Sequence, residues 1–239
     1  MAQYTISIII PVLNEATTIK QTLGQLTQYS GIEIIVVDGG SQDETVAITH
    51  RVRFANAKTS AKVITVIGKG RAGQMNAGAN LAQSEILLFL HADTQLPANF
   101  INLVTKTLQQ HQTIAGAFEL TIDGSEMSLR WVEMLVKLRS RLLCLPYGDQ
   151  AIFISKSAFM QTGGFADLPI MEDFEFISRI KRIGKIAIAP AAVTTSDRRW
   201  QKLGVWQTTL INQLMIAGYY LGISPTKLSQ FYRRRRKHE

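Results

Sequence analysis

Cysteine is almost missing: Cys144 stands alone in 239 residues. No intrachain disulfide can form, so stability does not depend on an oxidising compartment. A single Cys in an apolar run reads as core filler rather than as a nucleophile. Proline is scarce at 6 residues, and with 17 glycines the composition excludes a Pro/Gly-rich disordered or repeat chain. Met1–Tyr4 lacks a basic stretch leading into an apolar core and a cleavage site, and Ile6–Ile10 is too short for a signal core. The chain is therefore expected in the cytoplasm. Acid is the minority charge, with 18 Asp and Glu against 26 Lys and Arg, for a net charge of +8. Part of the excess is the terminal run Arg233–Lys237. A basic balance suits anionic partners: nucleic acid, a membrane surface or a phosphorylated ligand. Nucleic acid ranks last, because no aromatic-interleaved basic strand or binding module is present.

What is present is a regular alternation of apolar strands and amphipathic helices. Tyr4–Pro11 is a β-branched run ended by Pro11. Thr17–Leu26 has Ile19, Leu23 and Leu26 at helical spacing. Glu33–Val37 is a second strand, and Ser41–Glu44 reads as a capping box. Lys62–Ile67 is a third strand, followed by a glycine-punctuated loop and helix start over Gly68–Gly78. Glu85–Leu90 is a fourth. Later segments read as a helix from Pro97 to Gln109, a strand over Ala115–Ile122, and a helix over Ser128–Leu143 with Leu129, Val132, Leu135, Val136, Leu142 and Leu143 on one face. A turn at Tyr147–Gln150 leads to a strand over Ala151–Ile154, and Ser155 caps a short helix. Then come a helix over Glu172–Ile183, a strand over Lys185–Ala189 ended by Pro190, and a helix over Leu203–Leu221. Strands apolar on both faces alternating with helices predict a parallel α/β sheet.

The first four strands leave Glu15, Asp38, Arg71 and Asp93 near their C-terminal ends, the edge where open α/β sheets bind ligands. His91 stands two residues before Asp93. On extended backbone both would point to one side and face one ligand. Each residue also has a plainer reading. Asp38 and Asp93 could be turn acids, and Glu15, Glu172 and Asp173 could be first-turn acids answering a helix dipole. His91 could be a packed, hydrogen-bonded histidine, and Asp149 a turn residue. Lys69 and Arg71 could be a solvated basic loop, though a glycine-rich helix start also favours phosphate.

Taken together, Pro11-Val12-Leu13-Asn14-Glu15, Val37-Asp38-Gly39-Gly40-Ser41-Gln42-Asp43-Glu44-Thr45, His91-Ala92-Asp93, Gly163-Gly164-Phe165 and Glu172-Asp173 resemble the family 2 glycosyltransferases. The resemblance runs over about residues 4–195. It implies a GT-A fold: a Rossmann-like nucleotide-diphospho-sugar transferase architecture with a mostly parallel central sheet flanked by helices. Residues 1–95 would form the nucleotide-binding half and 96–200 the acceptor half, with 201–239 an amphipathic helix and basic tail. It also implies transfer of a sugar from a nucleotide-diphospho-sugar, UDP-linked by expectation, to an acceptor hydroxyl with inversion. Glu15 and Asp38 would hold the base and ribose, and Asp93 the divalent metal, Mg²⁺ or Mn²⁺. Asp173, beside Glu172, would be the catalytic base. Pro11, Asn14, Lys69, Arg71, His91, Asp149 and Gln150 complete the expected donor contacts. His91 departs from the family by standing where its first motif Asp belongs.

Two other functions compete. A sugar-1-phosphate nucleotidyltransferase would carry a Gly-rich basic loop after the first strand, where this chain has Val12-Leu13-Asn14-Glu15. A membrane-peripheral nucleotide-binding module with weak or no turnover is suggested by His91. The segment Leu203–Ile223 is about long enough to span a bilayer, but Gln207, Asn212 and Gln213 interrupt it. With Trp200, Trp206, Tyr219, Tyr220, Arg198 and Arg199 it suits an interfacial helix on the inner membrane face, a core helix or a homodimer helix. Together with Ser128–Leu143 it could frame a groove for a lipid or other greasy acceptor.

Overall fold

The opening β-branched run forms β1 (Ile6–Val12), and the chain then alternates through α1 (Ile19–Leu26), β2 (Ile32–Asp38), α2 (Thr45–Arg51), β3 (Ser60–Thr65), α3 (Gly70–Leu81) and β4 (Ile86–Phe89). These strands are parallel, in the order β3-β2-β1-β4. The computed structural model describes residues 4–54 and 59–237. The expectations at Met1–Gln3 and at the last two residues of the tail lie outside them.

Successive residues of each strand enter opposite cores. Ile8, Ile10, Ile34, Val36 and Leu88 pack into one cluster, and Ile9, Ile35, Val37, Leu87 and Phe89 into the other. Each such side chain, shut off from water, contributes about 1.5–3 kcal/mol. Helix α3 lies close on the sheet because Gly78 has no side chain: a Cβ there would come within 2.5 Å of Ile9 Cγ2.

The second half continues with β5 (Thr94–Gln95), α4 (Phe100–Leu108), β6 (Thr113–Asp123), α5 (Met127–Leu143), a 3₁₀ turn at Gly148–Gln150, β7 (Phe153–Ser155), α6 (Lys156–Gln161), α7 (Glu172–Ile180) and β8 (Lys185–Ser196). It extends the same sheet as β4-β7-β6-β8-β5. Here β7 is antiparallel to both neighbours, β6 and β8 are parallel, and β5 is antiparallel to β8. Three further helices follow: α8 (Arg198–Leu203), α9 (Val205–Tyr220) and α10 (Pro225–Lys237).

Several boundaries differ from the sequence reading for identifiable reasons. Pro11 does not end β1. Its nitrogen lies on the side facing β4, where Leu90 N–H to Ile9 O is the last contact, so no donor is missed. Pro190 does not end β8, because it sits in a register shift where Ala117 pairs with Ile188 and Glu119 with Ala192. Ser41 caps nothing. Its Oγ accepts from Asn14 N–H, while Asp43 takes the Thr45 N–H at the start of α2. The expected Leu203–Leu221 helix is broken at Gly204, whose φ of +75° separates α8 from α9. The basic run, expected as a tail, belongs to α10. On α5 the apolar face is not the buried one: Leu129 and Val132 are buried, but Leu135, Leu142 and Leu143 are exposed.

Candidate active site

The C-terminal ends of β1 and β2 are drawn together by a side chain that sequence reasoning missed. Gln74, buried in α3, donates to Val12 O at 2.8 Å and Val37 O at 2.7 Å. In the loops beyond, Asn14 adopts a φ of +56°, donates its N–H to Ser41 Oγ, and accepts the Gln42 N–H on Oδ1 at 2.8 Å. Its side chain therefore joins the two loops. Asp38 is buried at the end of β2 and accepts the Gly40 and Ser41 N–H groups. Both the turn role and a place at the binding rim are compatible with that position.

His91 and Asp93 do not share a face. The strand stops at Phe89, and Thr94 N–H donates back to His91 O at 3.2 Å, so the segment turns instead of alternating. The two residues open onto different hollows of the same rim. His91 lines one with Pro11, Arg71, Gly148, Glu172 and Asp173, while Asp93 lines another with Thr18, Thr22, Asp123 and Thr195.

In the first hollow, α7 delivers the acids. Gly163 and Gly164 turn the chain with positive φ, and Phe165 is fixed to α3 by a reciprocal pair of hydrogen bonds with Asn76 at 2.8 and 2.9 Å. Its ring packs on Phe89 and Phe176, which seats α7 on the sheet. Asp173 Oδ2 accepts the Gly148 N–H and Oδ1 its own Phe174 N–H, each at 2.8 Å. A Cβ on Gly148 would lie 2.9 Å from Asp173 Oδ2 and 3.2 Å from His91 Nε2, so glycine is what lets the turn close over both groups. Glu172 is buried and ion-paired with Arg71 Nε. Burial works against the Arg71 charge, but Glu172 and Asp173 hold its guanidinium protonated more firmly than usual. Burial, with Arg71 nearby, holds the His91 imidazole below its ordinary range, favouring the neutral ring.

The Tyr147–Gln150 turn divides its labour. Gln150, expected among the donor contacts, is fully buried. Its amide donates to Phe118 O and accepts from Tyr147 N–H, Ser140 hydroxyl and Arg139, which leaves it holding the turn. Asp149 points Oδ1 into a place closed to water with no hydrogen-bond partner. Burial raises its carboxyl above the usual range, with Arg139 and His91 opposing. Tyr147 lies under the Arg139 guanidinium at 3.4 Å, and burial pushes its hydroxyl up to about 12. Phe174, next to Asp173 in the chain, stacks edge-on against Tyr147, Tyr219 and Tyr220, forming an aromatic cluster behind the acid. Lys69 precedes α3 and is exposed, outside both hollows.

Asp93, on the second hollow, is ion-paired with a residue that sequence reasoning did not anticipate there. Arg198 Nη2 reaches Glu15 Oε2 at 2.9 Å and Asp93 Oδ2 at 3.2 Å. Two carboxylates directed at one cationic nitrogen form an oxygen-only donor pair, the kind that Mg²⁺ or Mn²⁺ accepts. Among the described residues no three His, Cys, Asp or Glu side chains are placed to hold a metal ion together, so such an ion would need further oxygens from a ligand.

Residues 7–165 match the family described as Glycosyl transferase family 2. A PGL/p-HBAD biosynthesis glycosyltransferase of Mycobacterium bovis is 33% identical over 183 residues, covering 74% of this chain and 69% of that protein. An uncharacterized glycosyltransferase of Rickettsia felis is 29% identical over 202 residues, covering 76% of this chain, which spans only 32% of that longer protein. Among solved structures, S. aureus TarS 1-349 superposes with a TM-score of 0.65 at 19% identity over 81% of this chain and 60% of its own. The mannosyltransferase PcManGT from Pyrobaculum calidifontis, in complex with GDP-Man and Mn²⁺, gives 0.65 at 20% identity over 80% of this chain and 56% of its own. The fold is thus the GT-A fold, and with the match covering more than half of its length the chain belongs to glycosyl transferase family 2.

Proposed function

We propose that this chain moves a sugar from a nucleotide-diphospho-sugar, with uridine the expected base, to an acceptor hydroxyl with inversion at the anomeric carbon. The observation that carries the reading is the Asp173 carboxylate, fixed by the Gly148 and Phe174 N–H groups at the mouth of a hollow that also holds Arg71 and His91. A base must meet the acceptor proton in a defined place, and those two bonds define it. The acceptor oxygen bonds to the anomeric carbon as the carbon–oxygen bond to the diphosphate breaks. The proton passes to Asp173, and the nucleoside diphosphate leaves.

Asp93, with Glu15 beside it, would hold the Mg²⁺ or Mn²⁺; when bound, that ion offsets the charge growing on the diphosphate. Arg71 would face the same phosphates, and Asp38, Asn14 and Pro11 would border the nucleoside. S. aureus TarS 1-349 has been solved in complex with UDP-GlcNAc, and PcManGT with GDP-Man and Mn²⁺, which supports a donor and cation of these classes.

The test is a thermal-shift screen of UDP-, GDP- and dTDP-sugars with and without Mn²⁺ or Mg²⁺, followed by detection of released nucleoside diphosphate. A cation-dependent shift with one donor series is expected. No shift with any nucleotide sugar under either cation overturns the reading.

A further inference from the structure

Helix α5 turns its apolar residues the wrong way for a soluble helix. Met127, Trp131, Met134, Leu138 and Leu142 recur every three or four residues along one stripe, and each is between 50% and 75% exposed. Ser140, by contrast, is buried. Helix α9, which touches α5, repeats the pattern with Trp206, Leu210 and Leu214, between 48% and 67% exposed. Single exposed apolar residues are ordinary, but two stripes on adjacent helices mark a contact surface.

The charges nearby identify the partner. From Arg198 to Lys237 the chain has no Asp or Glu, but it has nine Lys and Arg residues, four of them the consecutive arginines of α10. Helix α10 packs on α9 through Leu228 and Met215. A second copy of the chain would bring this one-signed segment against itself. An anionic lipid surface would neutralise it, while the Trp131, Trp206 and Tyr220 rings suit the headgroup level. Among the described residues no helix is long and apolar enough to cross a membrane, so contact would lie in the interfacial plane.

We infer that the chain docks on an anionic lipid bilayer through the outer stripes of α5 and α9. Arg139 of α5 covers Tyr147, and Tyr219 and Tyr220 at the end of α9 pack on Phe174. Docking therefore sets the Asp173 end of the hollow beside the bilayer. Resting on the transferase reading, the acceptor hydroxyl is then membrane-borne.

The experiment is co-sedimentation of the full chain with vesicles of phosphatidylcholine alone or of equal parts phosphatidylcholine and phosphatidylglycerol, at low and high salt. Strong low-salt binding to the mixed vesicles is expected. Leu138→Glu and Leu210→Glu should each weaken it about tenfold without lowering the melting temperature, since both side chains are exposed. Failure to sediment with mixed vesicles overturns the proposal, as does binding that both substitutions leave unchanged. A dimer in sedimentation equilibrium that the same substitutions dissolve, without vesicle binding, assigns the stripes to a second copy instead. The donor-induced thermal shift is read on the same samples. Lost vesicle binding with that shift intact overturns the docking alone, and a lost shift with vesicle binding intact overturns the transferase reading alone.

Discussion

Arg198 Nη2 lies 3.2 Å from Asp93 Oδ2, although 105 residues separate them in the chain. Backbone pairing brings them together: Ser196 N–H, at the end of β8, donates to Asp93 O at 3.1 Å, and Arg198 follows as the first residue of α8. The same nitrogen reaches Glu15. Burial opposes the charge on Arg198, but its bonds to the two carboxylates hold it protonated beyond the usual range. On the proposed metal role of Glu15 and Asp93, the guanidinium stands where the divalent cation would stand, and the two would compete for the same oxygens.

Arg198→Ala should therefore tighten Mn²⁺ binding to the nucleotide-free protein. Removing a half-exposed competing charge of this kind is worth about 1 kcal/mol, or roughly fivefold in affinity. Isothermal titration with Mn²⁺ reads it directly. Equal or weaker affinity in the variant would show that the cation does not use Glu15 and Asp93.

Asp173→Asn keeps the size of the side chain and removes the proton acceptor. Turnover should fall roughly 10²- to 10⁴-fold, the usual worth of a positioned base. Donor affinity should change little, because Asp38 and Asn14, proposed to border the nucleoside, belong to other loops. A kcat close to wild type would take the base role away from Asp173.

Arg71→Ala leaves Glu172, with a side chain only 2% exposed, without its cation. Breaking a fully buried pair costs about 3–5 kcal/mol, and the exposed half of Arg71 reduces that to roughly 1–3 kcal/mol. Adding Glu172→Gln should recover part of the loss, because no uncompensated carboxylate then remains. Chemical denaturation of the two single variants and the double variant measures it, and strictly additive losses would deny the coupling.

The repetitive parts of the molecule were readable from the chain alone, and the convergent parts were not. Ile8–Ile10, Ile34–Val37 and Leu87–Phe89 announce strands buried on both faces, because two opposed cores need apolar residues at every position. Pro11 and Pro190 misled because a proline ends a strand only where a neighbour needs its N–H. Ser41 looked like a cap, but Asp43 is nearer to the free N–H of Thr45 and takes it. Gln74 lies in a Gly- and Ala-rich helix whose pattern gives no sign of a buried clamp. Arg198 was legible only as a basic residue near Trp200, since nothing local points to carboxylates at Glu15 and Asp93. The turn after Phe89 separated His91 from Asp93, which alternation along a strand would have kept together.

Asp149 makes stability depend on pH in a direction that can be checked. Its carboxyl binds a proton more tightly in the folded chain than the ordinary carboxylate value of 3.8, because burial disfavours the anion and Oδ1 has no partner. In the unfolded chain the proton leaves near that ordinary value. As pH rises from there through the higher folded-state value, the native state keeps a proton that the unfolded state has lost, and stability falls. Asparagine mimics the neutral acid and does not titrate. Asp149→Asn should therefore melt close to wild type at pH below 3.8, and above it by a margin that opens as pH rises through the folded-state value and then holds. Melting curves for both proteins across that range decide the matter. A margin that never opens, or that narrows as pH rises, would mean that the folded chain welcomes the Asp149 anion after all, with Arg139 and His91 outweighing burial.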